Sequence, residues 1–304
     1  MAKEDRTMEI GLIGLGKMGM NLALNMVSQG IKVIGYDLNQ ESMNVAKKHG
    51  VGIATGLQDL VDRLPEKKII WVMVPSGEIT KQTISQVAAL LSTGDIVVDG
   101  GNSHYKDSIE HSQQLSKQGI FFFDCGTSGG MNGARNGGNF MIGGDREAFE
   151  ELTPIFSMIS EEGGYLYTGE SGSGHYLKMI HNGIEYGMMQ AIGEGFDLLH
   201  RSAFDYDNQK VAELWNSGSV VRSWLMELAA EAFREDPELE KIKGVMYSSG
   251  EGRWTVEEAL ELQVSIPVIT TSLMMRYRSL EEDTFTGKVV ASLRKGFGGH
   301  TVKE

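Results

Sequence analysis

A single cysteine, Cys125, stands among 304 residues, so neither an intrachain disulfide nor a cysteine-built metal site is available. Positive charge is short as well, with 28 Lys and Arg against 41 Asp and Glu. The net charge of −13 argues against nucleic acid or an anionic membrane surface as a partner. No uninterrupted apolar run approaches the roughly 20 residues of a membrane span. The opening "MAKEDRTMEI" lacks the apolar segment of a secretory leader. Seven histidines show no paired ligand spacing, so no metal is expected. Together these shortages predict a cytoplasmic protein. They leave room for a small anionic ligand, because screening limits distant charges to a reach of about 8–10 Å.

Glycine, by contrast, is plentiful at 39 residues. The length predicts about two domains. In the first half, short β-rich runs ("EIGLIG", "IKVIGYD", "KIIWVMVP", "DIVVDGG", "IFFFDCG") alternate with helical patterns. Strands apolar throughout predict a parallel sheet covered by helices on both faces, that is, an α/β, Rossmann-type doubly wound domain. Near "TGESGSG" the strand pattern stops, and helical segments are expected at 175–202, 207–233, 255–263 and 267–282. The expected domains are 1–174, binding a dinucleotide, and 175–304, an all-helical domain for substrate and oligomerisation. "REDPELEKIKG" reads as a solvated connection broken by proline.

"LIGLGKMG" places Gly14, Gly16 and Gly19 at G-x-G-x-x-G spacing between a strand and a helix, with Lys17 and Met18 at the helix start. The first glycine makes the turn, the second lets backbone approach a pyrophosphate, and the third lets helix and strand pack closely. Asp37 ends the next strand about 20 residues on, where a carboxylate accepts both ribose hydroxyls and repels a 2′-phosphate. That predicts NAD over NADP, against the plainer reading of Asp37 as a turn residue or helix cap. Val74, Pro75 and the "DGGNS" run with Asn102 follow later strands, at the edge where open α/β sheets bind ligands.

"HYLKMIHNGIEYGMMQ", residues 175–190, sets Lys178, His181, Asn182 and Glu185 on one helical face with Met189, and Tyr186 beside them. A solvated stripe is the ordinary reading of a mixed-charge helix. Four different polar chemistries and a tyrosine instead suggest a site wall, with Ile180, Ile184 and Met188 expected to pack.

These stretches, together with "TSGG", "SGGMNGAR", "GRWT" and "FGGH", resemble the β-hydroxyacid dehydrogenases, and within them the shorter, decarboxylating 6-phosphogluconate dehydrogenases. "KMIHNGIEY" is the most specific part. The resemblance implies oxidation of 6-phosphogluconate at C3 with NAD, decarboxylation and release of ribulose 5-phosphate, a reaction of the pentose phosphate pathway. It casts Lys178 as base and Glu185 as the acid that protonates C1. A lysine needs desolvation or a neighbouring cation before it can act as a base; Met179 and Tyr186 are candidate neighbours. The resemblance further assigns substrate contacts to Asn102, Ser128, Gly129, Gly130, His181 and Asn182. The phosphate falls to Tyr186, Arg276, and Arg294 and His300 of a neighbouring subunit's tail, which implies a homodimer or homotetramer. Gly129 and Gly130 also admit a purely turn-forming reading.

One departure concerns the phosphate loop. Where longer members carry a lysine and a threonine, this chain has Ser249 and Glu251, so Arg253, Arg276 and the tail must compensate. Two alternatives therefore stand beside the first reading: a related dehydrogenase of an unphosphorylated 3-hydroxy acid, and a non-catalytic NAD-binding protein that has kept the fold.

Overall fold

The computed structural model describes residues 8–303; the first seven residues of the opening segment read above for a leader lie outside it. An eight-stranded sheet has the order β3-β2-β1-β4-β5-β6-β7-β8. Here β1 is Glu9–Ile13, β2 Lys32–Tyr36, β3 Gly52–Ile53, β4 Ile69–Val72, β5 Ile96–Asp99, β6 Phe121–Ser128, β7 Gly138–Gly143 and β8 Ser160–Gly169. The order reverses at β1, which pairs in parallel with both β2 and β4. Loops leaving β1, β4 and β5 are therefore neighbours at one edge.

Successive strand residues serve opposite faces. Trp71 enters one core cluster with Ile10, Leu12 and Val98, while Ile70 and Val72 enter a second with Ile13, Ile34 and Val97. Both faces are thus dry, as the apolar runs required. Three strands were missed. β3 has two residues, and β7 ("GNFMIG") and β8 ("SEEGGYLYTG") carry glycines and charges that mask a β pattern. β7 also runs antiparallel to β6, so the sheet is mostly rather than wholly parallel.

The helical part begins with α8, Ser173–His200, a helix of 28 residues. Preceding helices used below are α1 (Lys17–Ser28), α2 (Gln40–Lys48), α3 (Leu57–Asp62), α4 (Glu78–Ala88), α5 (Tyr105–Ser116), α6 (Gly130–Asn136) and α7 (Arg146–Ile159). The segment expected as one helix over 207–233 is two, α9 (Asn208–Asn216) and α10 (Trp224–Glu235). Gly218 takes φ +86° between them, and the Ser223 side chain accepts the Met226 N–H to restart the chain as a helix. α11 (Gly250–Glu261), α12 (Pro267–Ser279) and α13 (Phe285–Gly298) complete the chain; α13 was not anticipated as a helix. Between α10 and α11 the chain is exposed and irregular, as read from "REDPELEKIKG".

Contacts divide the protein into two compact units that part after His181, within α8. The second has its own small core of Phe196, Ala212, Met226, Ala230 and Phe233. No helix among the described residues is long and apolar enough to cross a membrane.

Candidate active site

The glycine turn after β1 can be tested residue by residue. Gly14 has φ +96°, and a Cβ there would lie 2.4 Å from the Met73 carbonyl oxygen. A Cβ on Gly19 would lie 1.9 Å from the Gly14 oxygen. Neither position tolerates a side chain. At Gly16, the N-cap of α1, a Cβ would meet nothing within 4 Å. The second glycine thus leaves open space at a helix N-terminus, the geometry a pyrophosphate requires. Lys17 is exposed and Met18 half-buried at that terminus.

Asp37 follows β2, with Oδ2 accepting the Leu15 N–H at 2.5 Å and Oδ1 the Asn39 N–H at 2.7 Å. Its carboxylate is fixed against the glycine loop, and each oxygen keeps a further lone pair for a sugar hydroxyl. The helix-cap reading goes to its neighbour instead: the Asn39 side chain accepts from Glu41 and Ser42. After β4, the Pro75 carbonyl accepts the Thr80 hydroxyl at 2.8 Å. After β5, buried Asp99 accepts from Gly101 N–H (3.0 Å) and from the Ser103 hydroxyl (2.6 Å), which folds "DGGNS" into a turn with Asn102 exposed on it. A Cβ on Gly101 would come 3.1 Å from the Val74 oxygen, so the two loops touch. The residues present fit a dinucleotide.

The first turns of α8 are held by β6. Asp124, fully buried in that strand, accepts the N–H groups of Gly172 (2.5 Å) and His175 (2.8 Å). Burial pushes its carboxyl above the ordinary range, against the lowering influence of His175 and these amides. Ser108 on α5 hydrogen-bonds His175 Nδ1 at 2.8 Å. Two glycines permit the contact: a Cβ on Gly126 would stand 2.4 Å from Lys178 Cβ, and one on Gly174 would stand 2.5 Å from the Asp124 and Met141 oxygens. Lys178 is consequently 7% exposed, and Met179 beside it is buried. His181 Nε2 lies 3.1 Å from Ser128 Oγ. Gly129 (φ +103°) and Gly130 (φ +58°) make the turn from β6 into α6, so their backbone role is established. Cys125 is wholly buried, which pushes its thiol well up and removes the one sulfhydryl as a nucleophile.

In the helical unit, Asn182 and Tyr186 are buried and Glu185 is half-buried. The Ser249 N–H donates to the Tyr186 hydroxyl at 3.0 Å, and Ser249 Oγ lies 3.1 Å from it. The Arg276 guanidinium stacks 3.6 Å from the centre of the Tyr186 ring and donates to the Tyr247 carbonyl at 2.7 Å. Arg253 is not drawn to this cluster; it pairs with Glu257 at 2.9 Å. Arg294 lies on α13, a helix without a buried residue, and His300 just beyond it; both are exposed.

One expectation is inverted. Of the three residues read as packing, Ile184 and Met188 are 52% and 42% exposed and Ile180 is half-buried, while in the polar stripe Lys178 and Asn182 are buried and His181 and Glu185 half-buried. Gly126, Gly174, Asp124 and Gly252 were missed entirely. Of these only Asp124 left a signal, an acid inside the apolar run "FFFDCG". A cavity of about 420 Å³ in the helical unit, lined by Ile192, Phe196, Trp215, Val220 and Met226 among others, carries no titratable side chain.

A doubly wound sheet with this glycine turn, followed by a long helix that carries a buried lysine, defines a dinucleotide-binding oxidoreductase. Residues 9–169 match the NAD binding domain of 6-phosphogluconate dehydrogenase, and residues 174–301 match the C-terminal domain of that enzyme. The chain belongs to the 6-phosphogluconate dehydrogenase family. Bacillus subtilis YqeC, named a 6-phosphogluconate dehydrogenase only provisionally, is 56% identical over 297 residues, covering 98% of this chain and 100% of the relative. A Haloferax volcanii protein named as the NAD(+)-dependent, decarboxylating enzyme is 43% identical, covering 97% of this chain and 98% of its own. The solved Plasmodium falciparum 6-phosphogluconate dehydrogenase superposes with a TM-score of 0.82 at 31% identity; 95% of this chain covers 65% of that one.

Proposed function

We propose that this protein oxidises and decarboxylates 6-phosphogluconate to ribulose 5-phosphate and CO₂ with NAD, in the cytoplasm, as a homodimer or homotetramer. The observation that carries the reading is the burial of Lys178, 7% exposed with its stem against a glycine that admits no side chain, on the helix that also bears Glu185. A lysine serving as a base needs such a dry setting.

Bound NAD supplies the hydride acceptor. Gly14, Gly16 and Gly19 with the α1 N-terminus, including Lys17 and Met18, hold the pyrophosphate. Asp37 holds the ribose and disfavours a 2′-phosphate, and Val74, Pro75 and Asn102 flank the nicotinamide. Lys178 takes the proton of the C3 hydroxyl as hydride leaves C3. The ammonium so formed returns a proton to the carbonyl oxygen of the β-keto acid as CO₂ departs, and Glu185 then protonates C1 of the enediol. Seven residues of α-helix separate the two groups by roughly 10 Å along the axis, a span that two long side chains close over a six-carbon sugar acid. Asn102, Ser128, Gly129, Gly130, His181 and Asn182 bind its hydroxyls and carboxylate. Tyr186 and Arg276 take the phosphate, joined by Arg294 and His300 from a second copy.

The test is the initial rate of reduced-nicotinamide formation from 6-phosphogluconate, with NAD and NADP in parallel. NAD-dependent turnover is expected. Folded, NAD-binding protein that is silent with both would sink the proposal. A second reading, an unphosphorylated 3-hydroxy acid, is favoured by one feature, a buried acid, Glu251, between Ser249 and Gly252, which touch Tyr186. A KM unchanged by Arg294→Ala would support it.

A further inference from the structure

Glu251 is 3% exposed, and its Oε1 has no hydrogen-bond partner. It forms no ion pair with any described residue, although the proposed reaction gives it no task. A buried acceptor without a donor is costly and rare in folded proteins. Its place is well determined. The Thr255 hydroxyl donates to its carbonyl oxygen at 2.8 Å. On one side Ser249 binds the Tyr186 hydroxyl, and on the other Gly252 lies so close that a Cβ would be 2.5 Å from Tyr186 Cε2. Glu251 therefore sits between the two residues of this loop and α11 that touch Tyr186.

One cation thus stacks on this tyrosine, while a buried carboxylate belongs to the short Ser249–Gly252 segment whose two ends touch it. Glu251 also occupies the first turn of α11, where its charge offsets the positive helix terminus that would otherwise attract an anion. Being buried, it is poorly screened. An incoming phosphate finds little net attraction in this cluster alone. The charge that is missing lies elsewhere in the sequence: residues 286–303 contain Lys288, Arg294, Lys295 and Lys303 and no acid, and α13 buries none of its residues.

We propose that Glu251 is a specificity-determining residue that holds the Tyr186–Arg276 subsite near zero net charge, so that a phosphorylated ligand binds there only when the basic α13 of a second copy completes it. The inference rests on Tyr186 and Arg276 being the phosphate end of the site. It makes phosphate binding and docking of α13 mutually reinforcing, since each raises the affinity of the other.

The experiment uses the full chain with Glu251→Gln, Glu251→Thr, Glu251→Asp, Arg294→Gln and the Glu251→Gln/Arg294→Gln double variant, each shown folded by its thermal melt. KM for 6-phosphogluconate is read from turnover, and affinity for inorganic phosphate from calorimetry, which needs no catalysis. Neutralising Glu251 with Gln or Thr tightens both, roughly three- to tenfold for the removal of one nearby buried charge. Glu251→Asp, which keeps the charge, tightens neither. Arg294→Gln weakens both, and the double variant recovers toward wild type. Weaker or unchanged phosphate binding in both neutral variants overturns the inference, as does a Glu251→Asp protein that matches Glu251→Gln. If wild type fails to oxidise 6-phosphogluconate yet neutral variants still bind inorganic phosphate more tightly, the functional reading falls and this one stands. Turnover by wild type with looser binding in the neutral variants has the opposite meaning.

Discussion

The two ends of α8 are built differently. Up to His181 the helix is held close to the sheet: the buried Asp124 carboxylate takes two amides at its start, and Gly126 and Gly174 let strand and helix touch. From Asn182 onward one side chain, Tyr186, gathers the contacts, from the Ser249 N–H, Gly252 and the Arg276 guanidinium. The first unit also carries the glycine turn of an NAD binding domain, whereas the second ends in α13, none of whose residues is buried. In the proposed function the dinucleotide site needs one copy, whereas the phosphate end draws Arg294 and His300 from a second.

The largest effect should come from the lysine at the junction. Lys178→Met is expected to lower kcat/KM for 6-phosphogluconate about a thousandfold or more, within the range for loss of a general acid–base group, while NAD binding measured by fluorescence titration persists. Retained turnover would remove Lys178 from catalysis. Next, Gly126→Ala forces a methyl against Lys178 Cβ and should cost about 3 kcal/mol in denaturant unfolding, as overpacking does. A loss below about 0.5 kcal/mol would show the helix seat to be adaptable and blur the contrast drawn above.

Smaller changes probe the unfinished end. Arg294→Ala should raise KM for 6-phosphogluconate about tenfold, the scale of one charge-assisted contact, with NAD affinity unaffected. An equal loss in both ligands would mean that the tail supports the fold generally. Asp37→Ser should narrow the NAD-over-NADP ratio by roughly tenfold on the same scale; an unaltered ratio would return Asp37 to the role of a turn residue.

The smallest effect concerns Asp124. Its folded carboxyl titrates above its ordinary value of 3.8, so between that value and the folded one the native state holds more protons than the unfolded chain. Its contribution to stability is therefore full below the ordinary value and declines as pH rises through the folded one. Asp124→Asn should flatten that decline in urea melts taken from pH 4 upward. A steeper fall with pH would contradict the sign.

Much of this was legible beforehand because some residues act through what they lack. Gly14, Gly16 and Gly19 announced a turn, an opening and a close approach, and the distances found at each reflect local backbone geometry. The lysine helix was legible as a polar stripe with no repeating Glu–Lys pattern. Its orientation was misjudged: periodicity says that two faces differ, not which is covered, and here Ile184 and Met188 face outward while Lys178 and Asn182 are buried. β8 escaped because glycine and charge are tolerated where a strand is partly exposed, and β7 because its short apolar centre is flanked by glycines.

Sequence by itself determined the doubly wound class of the first unit, the glycine turn with an acid about 20 residues on, and resemblance to the family whose models match this chain. These follow from spacing along a chain, which local sterics convert directly into geometry. Tertiary structure alone decided that Gly126 seats Lys178, that Asp124 anchors α8, that Ser249 binds Tyr186, and that Glu251 Oε1 is buried without a donor. Such contacts join residues 48 to 63 positions apart in the chain, from Asp124 and Gly172 to Tyr186 and Ser249. No local preference encodes them, because they arise only when the packing of whole elements selects which side chains meet.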